Sequence, residues 1–270
     1  MDVESLTFSR RRGFAAAADS LLGEAVATRA AAANAAKPVD RDQCTVLLRE
    51  LTRREMALAP MQTAVHPSSL ILGRLLWQHP ASVAGKRVLG LGSGRGLAAL
   101  VAAHCGAAEV TMTDGSASSV KLLRENIALN VTAGCSCDDI CAHTLVWDAA
   151  GGGDCGDGRG DVDGRFDLIV AADCAYEGAE YSRDLLATIS RRLGETGRAV
   201  LVSPSAAHRA GMATLLDALE REAHSLRIVR SSTLGVDAPL LRDAKSIHRG
   251  FGVEVAADVQ SFSLLVIQPA

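Results

Sequence analysis

The stretch Arg87-Val-Leu-Gly-Leu-Gly-Ser-Gly-Arg-Gly96, followed by Leu97-Ala-Ala-Leu-Val-Ala-Ala-His104, decides the fold. Val88 and Leu89 predict a buried strand. Gly92, Gly94 and Gly96 then predict a sharp turn into an apolar helix. A side chain at these positions would stand between a ligand and the backbone N–H groups at the helix start. The spacing is G-x-G-x-G. A dinucleotide loop reads G-x-G-x-x-G, and its third glycine position falls here on Leu97. That mismatch argues against a nicotinamide dinucleotide. A tight strand–helix turn with no ligand is the alternative reading of the loop alone.

Outward from the loop, strand and helix alternate. Strands are expected at Val88–Leu91, Val110–Thr113, Thr144–Trp147, Phe166–Ala171, Arg198–Ser203, Leu226–Val229 and Ser261–Ile267. Helices are expected at Ser116–Leu129, Tyr181–Leu193 and Ala207–Ala223. Such alternation predicts an α/β, doubly wound sheet with helices on both faces and ligands at the carboxyl ends of the strands. No long helix separates the last two strands, which predicts an antiparallel strand at the end of the sheet. Upstream, Cys44 to Ala59 reads as a helix broken by Pro60. His66-Pro67-Ser68-Ser69 opens another, which Pro80 ends.

The chain has 270 residues and is 48% hydrophobic, enough for one large core. Residues 1–40, with Arg10-Arg-Arg12 and alanine repeats, read as a flexible or partly helical arm, and residues 41–270 as the folded domain. A net charge of −3 argues against a broadly basic nucleic-acid binder. The seven cysteines show no zinc-site spacing, so no metal is expected, and a reduced, cytoplasmic setting is. A monomer is expected, with no membrane partner. Gly151 to Gly164 is rich in glycine and aspartate and reads as a surface loop.

Three strand ends carry candidate chemistry. Asp114, about twenty residues beyond the glycine loop, could accept hydrogen bonds from two ribose hydroxyls, or cap the next helix. Trp147 could lie against an adenine ring, or be core. Asp173 could orient an incoming amine and Tyr176 could wall its channel, with helix capping again the alternative for the aspartate. Ala172 is small enough for its backbone to approach a cofactor.

Taken together, residues from about Thr63 to Ser203 resemble the seven-β-strand protein-lysine methyltransferases. The resemblance rests on Gly92 to Gly96, Asp114, Leu145-Val-Trp147 and the D-x-x-Y run Asp173 to Tyr176. Thr113-Asp114-Gly115 and Val146-Trp147-Asp148 are similar in style to the branch that methylates calmodulin. The resemblance implies a seven-strand, Rossmann-like methyltransferase sheet, mostly parallel with an antiparallel last strand. It implies S-adenosylmethionine as cofactor, held by His66, Gly90, Gly92, Ser93, Gly94, Asp114, Trp147 and Ala172. It also implies Asp173 and Tyr176 as the residues facing a substrate lysine.

Two positions depart from the family pattern. Gly90 stands where the family carries an acid that helps hold the methionine end of the cofactor. His66-Pro67-Ser68 stands where it carries Trp-Pro-Ser; the histidine reads as a ring replacing a ring, or as a general base. The implied activity is methyl transfer to a protein lysine. His224, Arg227, Arg230, Arg242, Lys245, His248 and Arg249 would favour an acidic partner such as calmodulin. The alternatives are a small-molecule or RNA methyltransferase on the same fold, and a scaffold that has lost tight cofactor binding.

Overall fold

The computed structural model describes residues 3–9, 43–52, 54–55, 65–148, 162, 164–175, 178–221, 225–235 and 261–270. In chain order the elements are β1 (Val3–Ser9), β2 (Gln43–Arg49), α1 (Pro67–Gln78), β3 (Arg87–Leu91), α2 (Leu97–His104), β4 (Glu109–Asp114), α3 (Ala117–Thr132) and β5 (Ile140–Thr144). These are followed by β6 (Phe166–Ala172), α4 (Ala179–Arg192), β7 (Leu193–Pro204), α5 (Ala210–Arg221), β8 (Leu226–Gly235) and β9 (Ser261–Pro269).

Seven strands form one sheet in the order β5-β4-β3-β6-β7-β9-β8. The pairs from β5 to β7 are parallel, and β9 runs antiparallel to both its neighbours. The last strand is therefore antiparallel as expected. It is inserted between β7 and β8 and does not form the edge. Chain order reverses between β3 and β6, and a ligand crevice opens outside the strand ends at such a reversal. The glycine turn sits there, immediately after β3.

Each central strand divides its side chains between two apolar layers. Val88, Val110, Val170 and Val202 pack on the side of α1 and α2, while Leu89, Leu91, Ile169 and Leu201 pack with Leu185, Ile189 and Met212 of α4 and α5. Parallel strands covered on both faces need this double set of apolar residues. The short α2 is buried over its whole length, which explains its unbroken Leu/Ala/Val composition.

Four expectations need correction. Residues 3–9, read as part of an arm, form β1, which pairs antiparallel with β2 from Val3↔Arg49 to Ser9↔Gln43. Residues 10–42 lie outside the described ones. The helix expected from Cys44 begins instead as strand β2. Cys44, Val46 and Leu48 alternate into the core, a period of two that the apolar Leu47 between them obscures. The strand expected at Thr144–Trp147 is β5, placed earlier, because pairing with β4 ends at Asp114↔Thr144. The fourth correction is the position of β9. Of the glycine-rich stretch, only Val162 and Gly164 are among the described residues. Among the described residues no helix is long and apolar enough to cross a membrane.

Candidate active site

The glycine turn is built by backbone conformation. Gly92, Gly94 and Gly96 have φ of 56°, 53° and 85°, the left-handed region where a Cβ is penalised. Two of them are also crowded. A Cβ on Gly92 would meet Cys174 Sγ at 2.9 Å and Trp147 Cζ2 at 3.2 Å; one on Gly96 would meet Leu123 Cδ2 at 2.8 Å and Met112 Sδ at 3.0 Å.

The reason given above for these glycines therefore changes. Several N–H groups of the turn are already satisfied within the chain. Ser93 N–H donates to Thr113 O (2.8 Å), Gly94 N–H to Asp114 Oδ2 (3.0 Å) and Gly96 N–H to Ser93 O (2.7 Å). The turn is not an open anion cradle. It suits a ligand without a phosphate, held by side chains around the turn.

Asp114 ends β4 with each carboxylate oxygen held by one N–H, Oδ2 by Gly94 and Oδ1 by Ser116 at 3.0 Å. An ionised carboxylate has about four acceptor positions, so each oxygen keeps capacity for a ribose hydroxyl. Helix capping and ribose binding are thus compatible. Trp147 lies beyond the end of β5, half-buried against the second apolar layer, with its ring edge over Gly92. The structure brings Asp114, Trp147 and the Cys174–Asp173 pair to this one turn.

Gly90 is explained by its neighbour. A Cβ there would meet Ser93 Oγ at 2.6 Å. That hydroxyl is buried with no hydrogen-bond partner within the chain. An orphaned hydroxyl at the turn fits a polar ligand that supplies the missing partner.

Asp173 follows Ala172 at the end of β6. It is the one non-glycine residue among those described with positive φ, at 54°. Such a conformation persists only where its surroundings fix it, and it concentrates at functional sites. Here its N–H donates to Val202 O (2.8 Å). Its Oδ2 accepts from Arg209 Nη2 (2.6 Å) and faces His66 Nε2 (2.9 Å), and its Oδ1 accepts from Ser203 Oγ (3.2 Å). The carboxylate is 10% exposed.

His66 reaches Asp173 because it is the N-cap of α1, where Nδ1 accepts the Ser68 N–H at 3.3 Å and Pro67 opens the helix. Cys174 packs beneath the turn, its thiol donating to Leu91 O at 3.2 Å. Burial first, then the nearby Asp173 and Asp114 carboxylates, push that thiol far above its usual range. It is a packing group.

Every cofactor residue named from the sequence lies around the turn or at the strand ends beside it, except that His66, at the start of α1, is brought to Asp173. Tyr176 lies outside the described residues, as do His224, Arg242, Lys245, His248 and Arg249. Sequence reasoning missed Arg209 and Ser203. Their signal is topological: Ser203 sits at the carboxyl end of β7, the strand next to β6, and Arg209 in the turn that follows it, just before α5.

The sheet order and the ringed glycine turn define a class I methyltransferase fold. The solved structure of the 4+2-cyclase SpnF shares the fold, with a TM-score of 0.54 at 18% identity, over 79% of this chain and 90% of that one. The lysine methyltransferase family profile matches residues 46–221, and the chain belongs to that family. Membership of that family makes S-adenosylmethionine the cofactor.

Two curated relatives align over the same kind of span. Calmodulin-lysine N-methyltransferase of Arabidopsis thaliana is 36% identical over 130 residues, covering 47% of this chain and 39% of that protein. Histone-arginine methyltransferase METTL23 of Homo sapiens is 28% identical over 127 residues, covering 46% of this chain and 60% of that protein. The match thus spans well under two thirds of either relative.

Proposed function

We propose that this chain methylates a lysine side chain on a protein substrate, with Asp173 as the residue that aligns the amine. The observation that carries the reading is the held carboxylate of Asp173 standing one residue from Cys174, which packs under the cofactor turn.

When bound, S-adenosylmethionine supplies a methyl group on a sulfonium for in-line displacement by a nucleophile. The protein's part is placement and electrostatics. Asp114 offers two oxygens to the ribose, the Trp147 ring beside Gly92 offers a face to the adenine, and the Ser93 hydroxyl above Gly90 offers a polar contact. Ala172 lets backbone approach the methionine portion.

On the acceptor side, Arg209 and His66 occupy Asp173 Oδ2, so Oδ1, shared with Ser203, is left to receive an amine N–H. A lysine must lose its proton to attack. The sulfonium and the Arg209 guanidinium disfavour a second positive charge nearby, and burial adds to that. Arg209 offsets the opposing pull of Asp173. Tyr176 completes this reading as the wall of the amine channel.

An acidic protein, of which calmodulin is one, suits the cationic side chains Arg227 and Arg230 of β8. The Arabidopsis relative, named for calmodulin, supports that choice. The test is incubation of the whole chain with tritium-labelled cofactor and a cell lysate, then mapping of the label by mass spectrometry. Methyl-lysine on a protein is the expected product. Label on RNA, on a small molecule or on arginine overturns the reading, as does absence of any label.

A further inference from the structure

We propose that β1 and β2 belong to the cofactor-binding apparatus, with Glu4 and Arg49 holding the glycine turn through Arg95. The proposal rests on the assignment of the turn to S-adenosylmethionine.

Arg95 lies inside the turn, between Gly94 and Gly96, yet its side chain is only 1% exposed. The guanidinium points away from the hollow into the small two-stranded sheet. Its Nη1 donates to Glu4 Oε2 of β1 at 2.9 Å, and its Nη2 donates to the carbonyl of Arg49 at the end of β2 at 2.7 Å. The backbone of the same residue is tied to the same layer. Asn126 of α3, fully buried, donates its Nδ2–H to Arg95 O at 3.0 Å and accepts the Arg49 N–H on Oδ1 at 2.7 Å. One residue earlier, Gly94 N–H is bonded to Asp114, the ribose carboxylate.

A guanidinium taken out of water must keep its partners, because an uncompensated buried charge is strongly destabilising. Without Glu4, Arg95 keeps the Arg49 carbonyl and the Glu50 charge but loses its ion pair in contact, and on this proposal it turns toward solvent. It sits within the turn, so the turn must move with it, carrying Gly94 away from Asp114. The coupling runs both ways: a ligand that favours the closed turn favours the docked β1 by the same factor. Glu4, Arg49 and Arg95 are positioning residues, none of them in contact with the cofactor. The strand that supplies Glu4 lies outside residues 46–221, the span matched by the family profile.

The test uses the whole chain and S-adenosylhomocysteine. Titration calorimetry of Glu4→Gln is expected to show affinity at least about tenfold weaker than wild type. Thr7→Val removes an exposed side-chain hydrogen bond between β1 and β2 (Thr7 to Thr45, 2.9 Å) and serves as the control, within twofold of wild type. A folded Glu4→Gln protein that binds within twofold of wild type overturns the proposal. A second measurement needs no variant. Saturating S-adenosylhomocysteine is expected to slow amide exchange in residues 3–9 as well as in the turn. Protection of the turn without any change in residues 3–9 overturns the proposal even where Glu4→Gln fails to fold. Failure of the wild-type protein to bind S-adenosylhomocysteine strikes the cofactor assignment itself, and this proposal with it.

Discussion

Replacing Asp173 by asparagine removes the carboxylate charge while keeping the shape of the side chain. Asparagine tolerates the left-handed φ of 54° that this position adopts, so the backbone need not move. Its amide oxygen can take the place of Oδ2 and still accept from Arg209 and His66, while its NH2 replaces Oδ1 and can donate to the Ser203 hydroxyl. The two bonds to Oδ2 lose the acceptor's charge, so the Arg209 contact passes from an ion pair to a bond with one charged member, and each bond weakens by about 1 kcal/mol. The Arg209 side chain is 26% exposed, so water recovers part of that. The net cost is about 1–2 kcal/mol, read as a lowering of the melting temperature by roughly 2–8 °C.

Transfer suffers far more than stability. On the proposed reading the oxygen that would receive the amine has become a donor, and a misplaced nucleophile loses about a hundredfold or more in rate. Affinity for S-adenosylhomocysteine, which the same reading places at Asp114 and Trp147, is expected to stay within about twofold. The assay pairs calorimetry with methyl transfer to the acceptor identified in lysate. Near wild-type turnover in Asp173→Asn refutes the role given to this residue. Loss of S-adenosylhomocysteine binding refutes it differently, by moving Asp173 to the cofactor side.

Gly90→Ala is expected to destabilise the protein by about 1–3 kcal/mol, since its Cβ would meet Ser93 Oγ at 2.6 Å, and Ser93→Ala in the same chain should restore most of the loss; additive effects in thermal unfolding would contradict the contact. Glu55 is held down to about 2 from 4.5, first by its hydrogen bond from Arg49 and then by those from Thr52. A carboxylate lowered on folding stabilises above its unfolded value and loses that effect as pH falls through the folded one. The difference in melting temperature between wild type and Glu55→Gln should therefore shrink from pH 4.5 down to about pH 2, and a constant difference would refute the pairing. Burial pushes the Cys137 thiol up to about 12, so in the folded protein it should resist a thiol reagent at pH 9 that labels it after denaturation.

How far the sequence could be read depended on whether each signal is local. The glycine turn and Asp114 are local: positive φ demands glycine, and a carboxylate one strand further on follows from the spacing. The start of α1 was equally legible, because a proline at the first helical position after a capping side chain marks a helix by itself. Strand β2 was not, since Leu47 between Val46 and Leu48 turns an alternating pattern into a continuous apolar run that fits either element. Its half of the explanation lies on α3, where Asn130 and Asn126 bond to the backbone of Leu47 and Arg49 across some eighty residues. Arg209 was illegible for the same reason. Nothing near it in sequence names Asp173, 36 residues earlier, as its partner.

His66 shows what a departure from a family pattern can add. Nδ1 of the ring faces two groups of Ser68, the N–H at 3.3 Å and the hydroxyl at 3.2 Å, and accepts from the first when it is the bare nitrogen. In that tautomer Nε2 carries the hydrogen, and at 2.9 Å it is aimed at Asp173 Oδ2. A nitrogen already bearing its proton and donating it is in no position to take another from an amine. In that tautomer His66 does not act as a general base. The ring-for-ring reading is incomplete as well. A tryptophan at this position has one N–H and no ring acceptor, so it could not both cap α1 and hold a carboxylate. The histidine does both, and so ties Asp173 directly to the first turn of α1.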